Sequence, residues 1–193
     1  MHITAVFRDF HQGDPPRAMV FYDTLDDAHW RARPHPAVNS LAWLIWHMAR
    51  VEDAGVNRFV GNRPQVLDEG NWGERMQVPI RHHGTGMTSE EVTDLSNRID
   101  LPSLRAYHTA VRVRTLEILD ALLPEELDQV NELSYLRQVC FDEGVLNPNI
   151  DWGEGPPYQD SKGNLLMHFA VTHNYGHFYE ADTICSLMRT PSG

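Results

Sequence analysis

Apolar residues recur along the chain at the three- and four-residue spacing of helix faces, and no long run alternates apolar with polar residues between turn signals. Four long stretches carry the helical pattern. The first is expected over about 15–31, within "PPRAMVFYDTLDDAHWRAR", where Met19, Val20, Tyr22 and Leu25 form the stripe and two prolines occupy the first turn. The second, "NSLAWLIWHMARVEDAGVNRFVG", starts from a cap at Asn39 or Ser40 and stops at Gly61. Leu41, Leu44, Ile45, Met48, Val51, Val56, Phe59 and Val60 are its inward residues. The third runs from near Pro102 to Pro124, with Leu104, Tyr107, Val111, Leu116, Leu119 and Leu122 on its inner face. The fourth starts near Ser161 and continues through Met188.

Two shorter helices are expected in the connections between these stretches. "TSEEVTDLSNRI" opens with a capping box of Thr88 and Glu91, and "NELSYLRQVCF" carries a brief apolar pattern. The reading is all-α: one domain spanning 1–193, a four-helix bundle with long loops at Asn62–Asp100 and Pro124–Asp160.

Composition narrows the class. With 41% apolar and 22% charged residues the chain is globular in character. A formal charge of −11, without a basic block, argues against nucleic acid and anionic membrane surfaces as partners. No run approaches the roughly 18 consecutive apolar residues of a membrane span, and "MHITAVFRDFHQGD" lacks the pattern of a secretory signal. Cys140 and Cys185 give neither a disulfide framework nor a CxxC pair, so a reducing cytoplasm is the expected setting.

Histidine is the residue that changes the picture, at 11 positions. In "VTHNYGHFYEAD", His173 and His177 stand four apart and share one side of the fourth helix. His47 points inward from the second, between Leu44 and Val51, and a buried imidazole needs a partner for each ring nitrogen. Together the three are a candidate metal site built from facing helices of a bundle. His168 lies five residues before His173, roughly 140° around an α-helix, and is expected to face a loop or solvent. His82 and His83 are expected to be solvent-exposed or to line a substrate entrance, while His2, His11, His29, His35 and His108 show no partner at ligand spacing. Asn174 stands where a zinc protease would carry its glutamate, which disfavours peptide hydrolysis of that type. Glu180, about two turns beyond His173, is expected to orient a ligand, accept a proton or pair at the surface.

The inward histidine of "NSLAWLIWHMARVEDAGVNRFVG", followed far downstream by "LLMHFAVTHNYGH", resembles the DinB-like superfamily of bacterial proteins, over about Pro15 to Met188. The resemblance implies a four-helix bundle in up-down-down-up order, often dimeric, with zinc or nickel held by His47, His173 and His177. It also implies thiol-dependent chemistry: well-described relatives are mycothiol-dependent maleylpyruvate isomerases and S-transferases joining mycothiol or bacillithiol to electrophiles. One departure stands in the last helix, where "FYE" follows His177 in place of the family's frequent "RGQ".

Three neutral imidazoles leave the full charge on an ion, which lowers the pKa of a bound water or thiol. The leading expectation is therefore a metal-dependent thiol transferase or isomerase acting on a small electrophile. The alternatives are a stress-related metal-binding protein without turnover and a plain bundle whose histidines belong to the core. Trp72, Trp152 and Tyr158 are expected at the mouth of the site, and Arg50, Arg81 and Arg137 are candidates for carboxylate recognition. Neither cysteine shows spacing to a histidine that supports a catalytic pair, and Cys185 is expected in the core.

Overall fold

The computed structural model describes residues 3–13, 24–153 and 155–189. In chain order its helices are α1 (Ile3–Gly13), α2 (Asp27–Arg31), α3 (Leu41–Glu52), α4 (Val66–Glu69), α5 (Trp72–Arg75), α6 (Ser89–Arg98), α7 (Leu101–Ala121), α8 (Leu133–Arg137), α9 (Lys162–Met167) and α10 (His173–Arg189). Two π-helical segments extend the long elements: Asp53–Val60 continues α3, and His168–Thr172 joins α9 to α10 in one unbroken helix. A third, Gln138–Asp142, prolongs α8. No strand occurs among the described residues, and a lone bridge pairs Val130 with Ser161.

α3 begins where its cap can satisfy it. The Ser40 hydroxyl accepts the Trp43 amide at 3.0 Å, while Asn39 turns elsewhere. All of its residues are buried, the pattern of a helix surrounded by others. The capping box of Thr88 and Glu91 is present at the start of α6. α7 is capped by Asp100 and packs Leu104, Tyr107, Val111 and Leu119 inside, with Leu116 and Leu122 half-buried. Burying each such side chain contributes about 1.5–3 kcal/mol before chain entropy is counted.

Pairs of contacts fix the helix directions. Going along α3, Arg50 meets Tyr107, Glu52 meets Thr115 and Gly61 abuts Ile118, so α3 and α7 run parallel. Asn39 meets Glu180, His47 meets His173 and Gly55 abuts Phe169, so the last helix runs against them. Arg8 pairs with Asp120 and Arg112 donates to the His11 carbonyl, so α1 runs against α7. The order is up, down, down, up. Where the π segments of α3 and the last helix cross, a Cβ on Gly55 would overlap the Phe169 ring, so the close approach requires glycine.

Two expectations change at the N-terminus. The stretch considered only for a targeting signal forms α1, with Phe7 and His11 buried. Of the helix expected over about 15–31, residues 15–23 lie outside the described residues. The remainder is not continuous, because Leu25 and Asp26 are extended and Asp26 starts the new helix α2 by accepting the His29 amide.

Candidate metal centre

The sequence spacing brings the three histidines together. α10 presents His173 and His177 one turn apart, and antiparallel α3 places His47 opposite them. One ring nitrogen from each lies within 4.8 Å of the others. His47 Nε2 and His173 Nε2 are 3.2 Å apart. Two nitrogens held by one tetrahedral zinc at ordinary bond lengths stand about 3.3 Å apart, so this pair is already spaced as ligands.

The outer nitrogens set which lone pairs face inward. His47 Nδ1–H donates to the backbone carbonyl of His83, and the Trp43 ring stacks on the imidazole at 4.6 Å and 16°. His177 Nδ1–H donates to Glu180 Oε2 at 2.8 Å, and the other Glu180 oxygen accepts from Asn39 at 3.0 Å. Both rings are thereby committed to Nε2 as the free acceptor, the arrangement by which outer partners orient metal ligands. His173 Nδ1 is buried with no hydrogen-bond partner. Burial pulls His47 down to about 3 and His173 down to about 2, and neighbouring imidazoles add to both shifts. These two rings are neutral at pH 7, with lone pairs ready for a cation. The three ring nitrogens are a donor set that could hold a metal ion.

The surroundings revise several expectations. The His168 ring is exposed, yet its centroid lies 5.9 Å from that of His173. The i→i+5 turn of the π segment brings together residues that a regular α-helix would separate. His83 is buried rather than exposed: its carbonyl serves His47, and its Nε2 lies 3.4 Å from the Tyr158 hydroxyl. His82 is partly buried and accepts the Gly84 amide. Gly84 has φ +92°, and a Cβ there would meet the Trp46 ring, so the loop that delivers the His83 carbonyl depends on this glycine.

Other candidates prove structural. Arg50 is fully buried and donates to Asp53, Tyr107, Gln65 and the Arg81 carbonyl, which removes it from substrate recognition. Arg81 pairs with Asp68 and the Glu143 carbonyl, and Arg137 lies over Phe141. Trp72 packs on Tyr107 in the core rather than at the mouth, whereas Trp152 and Tyr158 do border His83. Burial pushes the Cys140 thiol up to about 12, which makes it a poor nucleophile, and Cys185 is a buried core residue. Asn174 turns away from the imidazoles to donate to Glu52 at 2.7 Å. His11, for which spacing offers no partner, donates to that same carboxylate at 2.7 Å across 41 residues.

Among solved structures, the fold is similar to the crystal structure of a conserved protein from Enterococcus faecalis. The TM-score is 0.71, with 18% identity and 97% of each chain covered. No curated protein matches. The sequence profile of the DinB superfamily matches residues 16–180, which include all three histidines and the long helices α3 and α7. This all-α chain, with its three-histidine group able to hold a metal ion, belongs to the DinB superfamily.

Proposed function

We propose that the protein is a metal-dependent enzyme that joins a low-molecular-weight thiol, of the mycothiol type, to a small electrophile or uses it to isomerise one. The carrying observation is that His47 and His177 have their outer nitrogens tied down while their inner nitrogens converge with that of His173. Three imidazole nitrogens converging on one point are the arrangement that a bound cation calls for.

His47, His173 and His177 would hold the ion, and a zinc or nickel ion so held makes a coordinated thiol acidic near neutral pH. The chain's own part is orientation and access. The His83 carbonyl and Glu180 hold two imidazoles in the tautomer that presents Nε2. The Glu180 carboxyl is held below its usual range by the hydrogen bond from His177, so it stays an acceptor. His177 keeps 24% of its side chain exposed, which leaves the group reachable from solvent.

The test is metal content of untagged protein by elemental mass spectrometry, for wild type and His173→Ala. About one transition metal per chain in the wild type and none in the variant is the expected result. Transfer assays with mycothiol and a panel of electrophiles then separate an enzyme from a metal-binding protein without turnover. A wild type that stays metal-free after incubation with zinc and nickel sinks the reading.

A further inference from the structure

Between the two histidines of α10 stands Gly176, inside a helix that continues from Lys162 to Arg189. Glycine within a helix costs stability relative to alanine, so its presence asks for a reason. Gly55 and Gly61 have one, since a Cβ at either would strike Phe169 or Ile118. Gly176 has none of that kind: a Cβ there would meet no atom of another element within 4 Å, and the residue is exposed.

Its position on the helix is informative. Asn174, Phe178 and Ala181 face the core, while Thr172, Gly176 and Tyr179 face solvent, and His173 and His177 lie on the border between the two. On the other sides the rings have neighbours, with exposed His168 beside His173. Trp43 and the His83 carbonyl close the His47 side, Glu180 and Asn39 hold the far edge of His177, and Asn174 is committed to Glu52. Solvent already reaches the imidazole of His177 itself, at 24% side-chain exposure.

We propose that Gly176 is the specificity-determining position of this centre, its missing side chain forming the notch through which the thiol enters. The inference rests on the metal-dependent reading above. A thiol cosubstrate brings one sulfur and a much larger tail. The sulfur must reach the point where the three nitrogens converge, and the tail must leave across the solvent flank of α10. A longer side chain at 176 stands in the path of the tail but not of the ion.

The experiment uses the full chain loaded with cobalt(II), with thiol binding read from the sulfur-to-cobalt charge-transfer band. The probes are 2-mercaptoethanol and N-acetylcysteine, and the variants are Gly176→Ala and Gly176→Leu. Gly176→Ala is expected to bind cobalt normally and to raise Tm by about 2–4 °C, because nothing is displaced. Gly176→Leu is expected to keep its cobalt but to bind N-acetylcysteine about tenfold more weakly or worse, with a smaller loss for 2-mercaptoethanol. Equal binding of N-acetylcysteine by wild type and Gly176→Leu overturns the inference, as does a lower Tm in Gly176→Ala. A wild type that holds cobalt but binds neither thiol overturns it too. If Gly176→Leu changes the oligomeric mass and leaves thiol binding intact, the notch belongs to a second copy of the chain and not to a thiol. Failure of the wild type to take up cobalt is a different result: it removes the metal reading itself.

Discussion

Helix α3 and its π extension carry two buried polar clusters, at His47 and at Asp53, and they are built on different rules. Around Asp53 the carboxylate is answered on both oxygens, although Arg50 Nε, Asn57 Oδ1 and Gln65 Nε2 beside it are buried without partners. Its carboxylate accepts from the Val66 and Leu67 amides, Asn57, Tyr107 and Arg50 at 2.6–3.3 Å. Burial pushes that carboxyl up, against the pull of Arg50 and these donors. Around His47 the outer nitrogen donates to a main-chain carbonyl and the inner one faces the imidazoles of His173 and His177. The first cluster ties the segment after α3 to α7. The second brings three ring nitrogens to one point, where a metal ion could be held. A buried carboxylate answered by the chain's own donors marks structure, whereas ring nitrogens converging on one point mark a candidate site.

Four measurements would break or sharpen that contrast. The largest effect is expected from Asp53→Ala, which strands the buried Arg50: a loss of about 3–5 kcal/mol in urea unfolding, with the folded fraction still taking up metal. Loss of metal without loss of stability would invert the two roles. Next is chelation. Metal-loaded wild type is expected to lose about 2.7 kcal/mol relative to protein at a free metal concentration 100 times Kd, and His173→Ala is expected to lose nothing, both read from thermal melts.

Glu180→Gln comes third. It keeps the shape of the side chain but weakens the hold on His177, so metal affinity by competition titration should fall about 10- to 100-fold while the Tm of the metal-free protein barely moves. The fourth measurement is one of pH. Burial opposes ionisation of Glu52, but the His11 ring, Arg112 and Thr115 outweigh it and bring the carboxyl from 4.5 to about 2. A depressed carboxyl stabilises fully above its unfolded value and loses that stabilisation as pH falls toward its folded one. Urea unfolding should show no contribution from Glu52 to pH dependence between 5 and 7, and Glu52→Gln should flatten the acid side below 4.5.

What could be read from the sequence follows from how local each signal is. The apolar periods of α3, α7 and the last helix, the Thr88 box and the His173–His177 spacing are short-range patterns, and the structure reproduces them. His47 was identifiable because an imidazole in the middle of a wholly apolar face has to be explained. The π turn that carries His168 beside His173 has no comparable signature, since its extra residue per turn leaves the apolar pattern on either side intact. The partnership of His11 with Glu52 and the enclosure of Arg50 depend on residues tens of positions away, and no spacing rule reaches that far. α1 is a different case. Val6, Phe7 and Phe10 do carry a helical stripe, but it is brief and stands in a stretch weighed only as a possible leader.

The hydrogen bond from His47 to the carbonyl of His83 has an evolutionary side. A main-chain oxygen is supplied by any amino acid, so the orientation of this ligand does not depend on which side chain stands at position 83. What it does depend on is the left-handed turn at Gly84. Drift around that glycine can therefore change the side chains near Tyr158 and Trp152 while the orientation of His47 is inherited unchanged.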